Sequence, residues 1–486
     1  MNKSILFFLL ATGVLTKVNF AQIPYNNRYF EEVFDEITIE TDVIYGTAPA
    51  LNFPYFDESN TSPQDLLMDV YQPDGDTLEY RPAIVCAHSG SFVSGSKENE
   101  DMVAFCDSLA HRGYVTASIE YRMGMNALSA ASSTRAVYRG IQDGRTAIRF
   151  LKENAETYGI DTNNIYLLGS SAGAFIAQHN YFMDLEEERP PETYDSPDLG
   201  CLDCSGNDFP HSGKANGMVA LWGALMDTNL IISTDTLPVF LAHGTADETV
   251  PFIYGSAFGF ELFPPTYGSG PVAEQLAYYG NDAETYFVLG AGHEFYGTNN
   301  GNWDGEPNQY WDSVFNKVES FALNIHKPTA GFAITQFENV AMFEDTSKKA
   351  SSWVWDFGDG TFSKEQNPSH EYDQSGVFTV IQFVSNDLIS WDTASGLAYS
   401  FVGINETGNQ TLKIYPNPVT DFLNIQNKSN GQMEVVITDI SGKILYSFLL
   451  DSGNSKKLSM SHFEKGVYLL RFRSGAFMVS KKVIKI

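Results

Sequence analysis

The chain has 486 residues and a formal net charge of −30, which is enough length for two or three domains with separate cores. Residues 412–486 carry 11 Lys and Arg against 5 Asp and Glu, a surplus of +6, so the remainder stands at −36. A body that acidic excludes nucleic acid and anionic membranes as partners and reads as solubility in a salty exterior.

The chain opens on Lys3, an apolar run from Ile5 to Leu15 and a small residue at Ala21. This is the pattern of an export signal over 1–21. The run is too short to cross a bilayer, and no later stretch is long enough, so a secreted protein without a transmembrane segment is expected.

From about 37 to 326, strand and helix signals alternate. "AIVCAH" (83–88) precedes a helical stretch around 102–112, and "YVTASIEY" (114–121) precedes another from about 133 to 158. "NIYLLG" leads into the helix "AGAFIAQHNYF". "GMVALWG", "PVFLAHG" and "ETYFVLG" supply three more strands, and a last helix is expected from Pro307. Its apolar face would hold Tyr310, Trp311, Val314, Val318, Phe321 and Ile325. Continuous apolar strands between helices predict one α/β domain, 22–326, with a mostly parallel sheet covered on both faces.

Within it, residues 181–216 form an insertion rich in Glu, Pro and Asp, with Cys201 and Cys204 in a C-x-x-C. In an exported chain that pair points to a local disulfide. His211 is the one nearby residue that could extend it toward a zinc site, and no metal is expected. Cys86 and Cys106 fall in apolar segments and read as buried thiols.

After Lys327-Pro328 the texture changes. Residues 329–402 show short alternating runs and turn clusters, 403–411 form a polar linker, and 412–486 form a second short-stranded segment. Two small all-β domains are expected.

The chemistry gathers around Gly169-Ser170-Ser171-Ala172-Gly173, a G-x-S-x-G between a strand and a helix. A nucleophile on such a sharp turn needs small neighbours two positions either side, and the helix that follows favours developing negative charge. The spacing makes Ser171 the attacking residue and Ser170 the variable one. A serine hydroxyl needs a base oriented by an acid. Asp247 follows the strand "PVFLA" and His293 follows "TYFVL", each at a strand C-terminal end where sites lie in such sheets. Glu248 is the fallback acid, while His243 and His88 read as loop supports and His179 as packing. "HSGSF" (88–92) follows "AIVCA", and its Gly90 and Ser91, with Ala172, would supply oxyanion N–H groups.

HSGSF, GSSAG, HGTADETVP and GAGHEF together resemble the carboxylesterase and lipase branch of the α/β-hydrolase fold. The likeness implies Ser171 as nucleophile, Asp247 as acid and His293 as base, with no cofactor. The usual HGGG loop reads His88-Ser89-Gly90-Ser91 here, with serines at two glycine positions. "WVWDFGDG" (353–360) resembles a PKD domain, and "LKIYPNPVTDFLNI" with the closing "KKVIKI" resembles the C-terminal sorting domain of type IX secretion, found in Bacteroidota. These likenesses imply a secreted or surface-attached protein handled by that machinery through 412–486.

The fold class expected is therefore α/β, an α/β-hydrolase domain followed by two small all-β domains. The substrate expected is a carboxylic ester, with an esterified polysaccharide or polyester implied by the module company. A peptidase of the same fold and a non-catalytic surface binding protein are the alternatives. Residues 181–216 read equally as a cap over the site or a solvated loop. Tyr296 and Trp303 are candidate substrate contacts, and Trp353 and Trp355 read as core.

Overall fold

The structure, a computed structural model, describes residues 27–260, 262–337, 339–400, 412–440, 442–474 and 477–486. The expected export signal and the linker over 403–411 lie outside the described residues. The chain divides into two compact units. The first takes in the described residues up to Gly331 with 346–354 and 382–394, and the second those of 332–345, 355–381 and 395–486.

The first unit is built on an eight-stranded sheet. Its strands are β1 (Ile37–Leu51), β2 (Thr61–Pro73), β3 (Arg81–Ala87), β4 (Val115–Ile119), β5 (Ile160–Ser170), β6 (Gly217–Leu221), β7 (Val239–Gly244) and β8 (Glu284–Val288), in the order β1-β2-β4-β3-β5-β6-β7-β8. From β4 to β8 every neighbouring pair is parallel, and only β2 runs against the rest. This mostly parallel arrangement is the α/β-hydrolase fold.

The central strands show no polar alternation because both faces are covered, yet their side chains still divide with period two. On β3, Ala83, Val85 and Ala87 join one core with Ile148 and Ile176, while Ile84 and Cys86 join the other with Phe105 and Phe321. The first face is covered by α2 (Ala130–Glu153) and α3 (Ala172–Phe182), the second by α1 (Glu100–His111) and α4 (Gln309–His326). The last helix starts two residues later than Pro307: Asn308 takes the N-cap, its side chain accepting the Tyr310 N–H at 2.9 Å. Val314, Phe315, Val318, Phe321, Ala322 and Ile325 are buried, with Tyr310 and Trp311 half-buried beside them.

The insertion 181–216 is lashed lengthwise to α2. Arg135 donates to the carbonyls of Glu192, Asp195 and Pro197, and Gln142 to those of Leu199 and Cys201. Arg145 and Arg149 both pair with Asp203, at 2.8 and 2.9 Å. Lys152 reaches the carbonyls of Ser212 and Lys214. Cys201 and Cys204 are joined in a disulfide within this strap, and His211 bonds Glu153 rather than turning toward the sulfurs. The strap is a structural brace, running from the start of α2 toward its end.

Among the described residues, the region after Lys327 forms strands and no helix. Strands Phe332–Phe337, Val340–Asp345 and Ser369–Glu371 form one antiparallel sheet. A four-stranded sheet takes Phe362–Ser363, Ser352–Asp356, Gly376–Ser385 and Trp391–Ser400 in that order. Trp355 is fully buried against Phe332 and Phe343, its indole N–H donating to the Glu365 carbonyl. From Leu412 on, a three-stranded and a four-stranded sheet enclose a core that includes Leu423, Ile425, Val435 and Phe472.

Candidate active site

Register brings the strand ends level. Ala87 pairs with Ile119 and Gly169, Gly169 with Ala220, and Leu221 with Ala242. The segments that follow β3, β5, β6, β7 and β8 therefore leave one edge of the sheet together.

Ser171 stands alone between β5 and α3 with φ 52° and ψ −111°, a left-handed conformation costly for a residue with a Cβ. It is kept there by contacts that leave no choice at either flank. A Cβ on Gly169 would lie 2.0 Å from the Gly173 carbonyl oxygen, and one on Gly173 2.0 Å from that of Ala87. The Ser171 N–H donates to the Leu221 carbonyl at 3.0 Å, pinning the turn to the end of β6.

The two adjacent serines have separate fates. The Ser170 hydroxyl is buried and accepts the Trp222 indole N–H at 3.0 Å. The Ser171 Oγ instead lies 2.9 Å from His293 Nε2, and His293 Nδ1 lies 2.7 Å from Asp247 Oδ2. The structure thus brings together Ser171, His293 and Asp247 from three loops. The order of contacts requires His293 to carry its proton on Nδ1 and accept at Nε2.

Asp247 is held as firmly as the serine. Its Oδ1 accepts the backbone N–H groups of Thr249 and Val250, both at 2.8 Å, while Oδ2 faces His293 and, at 3.3 Å, His243 Nε2. Burial alone would raise its pKa; the hydrogen bonds from His243 and His293 overcome that and hold the carboxyl well below the usual range. His243 is fully buried between the Ser269 hydroxyl and the Val250 carbonyl, so it fixes the acid loop and does not face the serine. Glu248 lies outside these contacts.

The loop after β3 turns tightly, with Gly90, Ser91 and Phe92 all at positive φ. A Cβ on Gly90 would fall 2.0 Å from the Ser94 carbonyl oxygen, so glycine is required there, whereas Ser91 adopts the left-handed region despite its side chain. His88 is buried, stacked on Tyr121 with centroids 4.2 Å apart, and its carbonyl accepts the Tyr121 hydroxyl at 3.0 Å. Burial pushes its pKa down to about 4, so it supports this loop as a neutral ring. Ala172 is the first residue of α3, where backbone N–H groups lack partners within the helix. His179 on α3 is likewise buried, its Nε2 accepting the Met226 N–H at 3.1 Å.

The two aromatic candidates for substrate contact are placed differently from the expectation. Tyr296 is fully buried, packed at 4.5 Å on Trp222 and 5.8 Å on Trp303, and presents no face to an incoming ligand. Trp303 is half-buried against Trp311 at 5.0 Å, its backbone N–H donating to Glu100 Oε2 at 2.7 Å. Both belong to the aromatic core beneath the base loop. What the sequence reading missed is Trp222, the residue after β6, whose indole occupies Ser170 and whose ring lies 6.4 Å from His293. The one signal for it was its place directly after the strand "MVAL".

Comparison with known proteins agrees with the layout. Residues 68–188 match the BD-FAE family, an esterase-like α/β hydrolase domain; 323–388 match the PKD domain; and 413–486 match the secretion system C-terminal sorting domain. The last of these marks a secreted or cell-surface protein handled by the type IX machinery. No helix among the described residues is long and apolar enough to cross a membrane. Gut esterase 1 of Caenorhabditis briggsae is 28% identical over 171 residues, 34% of this chain and 30% of its own length. Mouse (Mus musculus) carboxylesterase 3B is 31% identical over 113 residues, 23% of this chain and 19% of its own length. The matches to these curated relatives therefore span less than a third of the relatives' length. Among solved structures, Thermogutta terrifontis esterase 2 phosphorylated by paraoxon is 22% identical, covering 58% of this chain and 95% of its own, with a TM-score of 0.40.

Proposed function

We propose that this chain, an esterase-like α/β-hydrolase domain followed by PKD and sorting domains, is an exported serine hydrolase that cleaves carboxylic esters through an acyl-enzyme. The observation that carries the reading is the continuous contact from Ser171 Oγ through His293 to Asp247. Ser171 Oγ attacks the ester carbonyl as His293 Nε2 takes its proton. The tetrahedral oxyanion is met by the N–H groups of Gly90, Ser91 and Ala172. His293 returns the proton to the departing alkoxide, leaving acyl-Ser171, and water activated by the same imidazole releases the acid. Asp247, ionised across the working range, holds the Nδ1 tautomer and stabilises the imidazolium. The chemistry calls for no metal or organic cofactor.

Domain limits of 22–326 for the hydrolase, 329–402 for the PKD-like module and 412–486 for the sorting domain fit this reading. An exported enzyme with a PKD domain fits an esterified polymer, a polysaccharide or a polyester. The test is hydrolysis of p-nitrophenyl acyl esters by the wild type and by Ser171→Ala. Turnover should fall by about 10⁴ or more in the variant. A folded wild type without turnover would favour a peptidase or a binding role.

A further inference from the structure

Behind Ser171 lies a buried polar cluster that the proposed chemistry does not use. It draws on four segments: Ser170 on the elbow, Ser89 on the loop after β3, Asn99 and Asp101 at the start of α1, and Glu294, Tyr296 and Gly301 on the stretch after His293. The side chains of Ser170, Ser89, Asn99, Asp101, Glu294 and Tyr296 are all at least nine-tenths buried.

Hydrogen bonds and one ring contact link its members. An indole can only donate, so the Trp222 N–H is donated to Ser170 Oγ at 3.0 Å. Trp222 in turn packs edge-on against the Tyr296 ring, centroids 4.5 Å apart. The Tyr296 hydroxyl donates to Asp101 Oδ2 at 2.7 Å, and the Met102 N–H fixes Asp101 Oδ1 at 2.7 Å.

Gly301 clips the far end. Its N–H donates to Glu294 Oε2 at 3.1 Å and its carbonyl accepts the Asp101 N–H at 3.0 Å. A Cβ there would lie 2.4 Å from Asn99 Nδ2, 2.8 Å from Asp101 Oδ1 and 3.0 Å from Ser89 Oγ. The titratable groups facing Asp101 are Glu294 and Tyr296 from the base loop and Cys86 from β3. A proton on Asp101 Oδ1 leaves Oδ2 an acceptor for Tyr296 in either ionisation state.

From this geometry we propose that Asp101, Tyr296 and Ser170 are positioning residues: Asp101 holds the Tyr296 hydroxyl, Tyr296 packs on Trp222 and Trp222 holds Ser170, which ties the residue before the nucleophile to the loop that carries His293 and so sets the distance between Ser171 and His293. The proposal rests on the ester-hydrolase reading. It assigns a role to the position before the nucleophile, which the G-x-S-x-G pattern leaves open, and it explains why Tyr296 is buried.

The test uses the full chain and two readouts: steady-state ester hydrolysis, and the rate at which a fluorophosphonate labels Ser171. Tyr296→Phe removes one hydroxyl and leaves the ring packing intact. It should lower both kcat and the labelling rate about tenfold, with KM within about twofold of wild type. Asp101→Ala should do the same, and the double variant should be no slower than the slower single, because both break the same hydrogen bond. Asp101→Asn, which keeps an acceptor for Tyr296, should fall between wild type and Asp101→Ala. A folded Tyr296→Phe with wild-type kcat and labelling rate, or losses that multiply in the double variant, would overturn the proposal while leaving the ester-hydrolase reading standing. A wild type that the probe does not label at Ser171 would overturn that reading and the positioning role with it.

Discussion

Two stretches of this chain read alike as sequence and fold differently. The insertion 181–216 and the segment after His293 are both polar, glycine- or proline-bearing and next to site residues, and both were candidates for walls around the acyl group. The first is strapped along α2, where Arg135, Gln142, Arg145, Arg149 and Lys152 are spaced to meet its carbonyls and Asp203. The second turns inward and delivers Tyr296 and Trp303 to an aromatic core. An acidic loop is solvated only when nothing basic is spaced to receive it, and a polar loop can still seat its aromatics inside.

The sharpest way to break this contrast is at Asp203. Its carboxylate serves two guanidinium groups that are 4% and 0% exposed, so Asp203→Ala leaves both uncompensated. We expect a loss of about 3 kcal/mol in urea-induced unfolding, at the low end for a broken buried pair because Asp203 itself is a third exposed. The kcat of the folded fraction should stay within about twofold, since the strap braces α2 and touches none of the three site residues. A large fall in kcat with little loss of stability would restore the cap reading.

A smaller effect is expected on the other side of the comparison, at Asp101. Burial, then the charge of Glu294, lifts its carboxyl to about 8, whereas an unfolded Asp titrates near 4. Between those values the folded protein holds a proton that the unfolded chain has released, so this group's contribution to stability declines as pH rises from about 4 to about 8 and is flat above. Asp101→Asn abolishes that titration. Its stability relative to wild type should therefore improve by about 1 kcal/mol or more between pH 5 and pH 8, measured by urea unfolding at both. Parallel dependence on pH in the two proteins would place the raised group elsewhere.

Much of the fold was legible because central strands such as "AIVCA" and "PVFLAHG" are apolar throughout and bounded by helices, a texture that only a sheet covered on both faces produces. Ser171, Asp247 and His293 were legible because each follows a strand, so their order in the chain predicts one sheet edge. The strand ends are indeed level there, and the fold brings the three side chains within hydrogen-bond distance. The rest was hidden for a physical reason. The arginines of α2 look like a solvated face until the strap is laid on them, and Asp101 is an unremarkable acidic residue at a helix start until Tyr296 arrives from almost two hundred positions away. Long-range polar pairing leaves no periodic trace, and the last helix begins at Gln309 rather than Pro307 because the Asn308 side chain caps it, an Asx cap that competes locally with proline at N1.

The most direct measurement is to label the wild-type protein with a fluorophosphonate and locate the adduct by peptide mass spectrometry. The account predicts a single adduct on Ser171, lost in Ser171→Ala and in His293→Ala, with Ser170 in the same peptide unmodified. An adduct on Ser170, or a folded protein that takes no label, would contradict it.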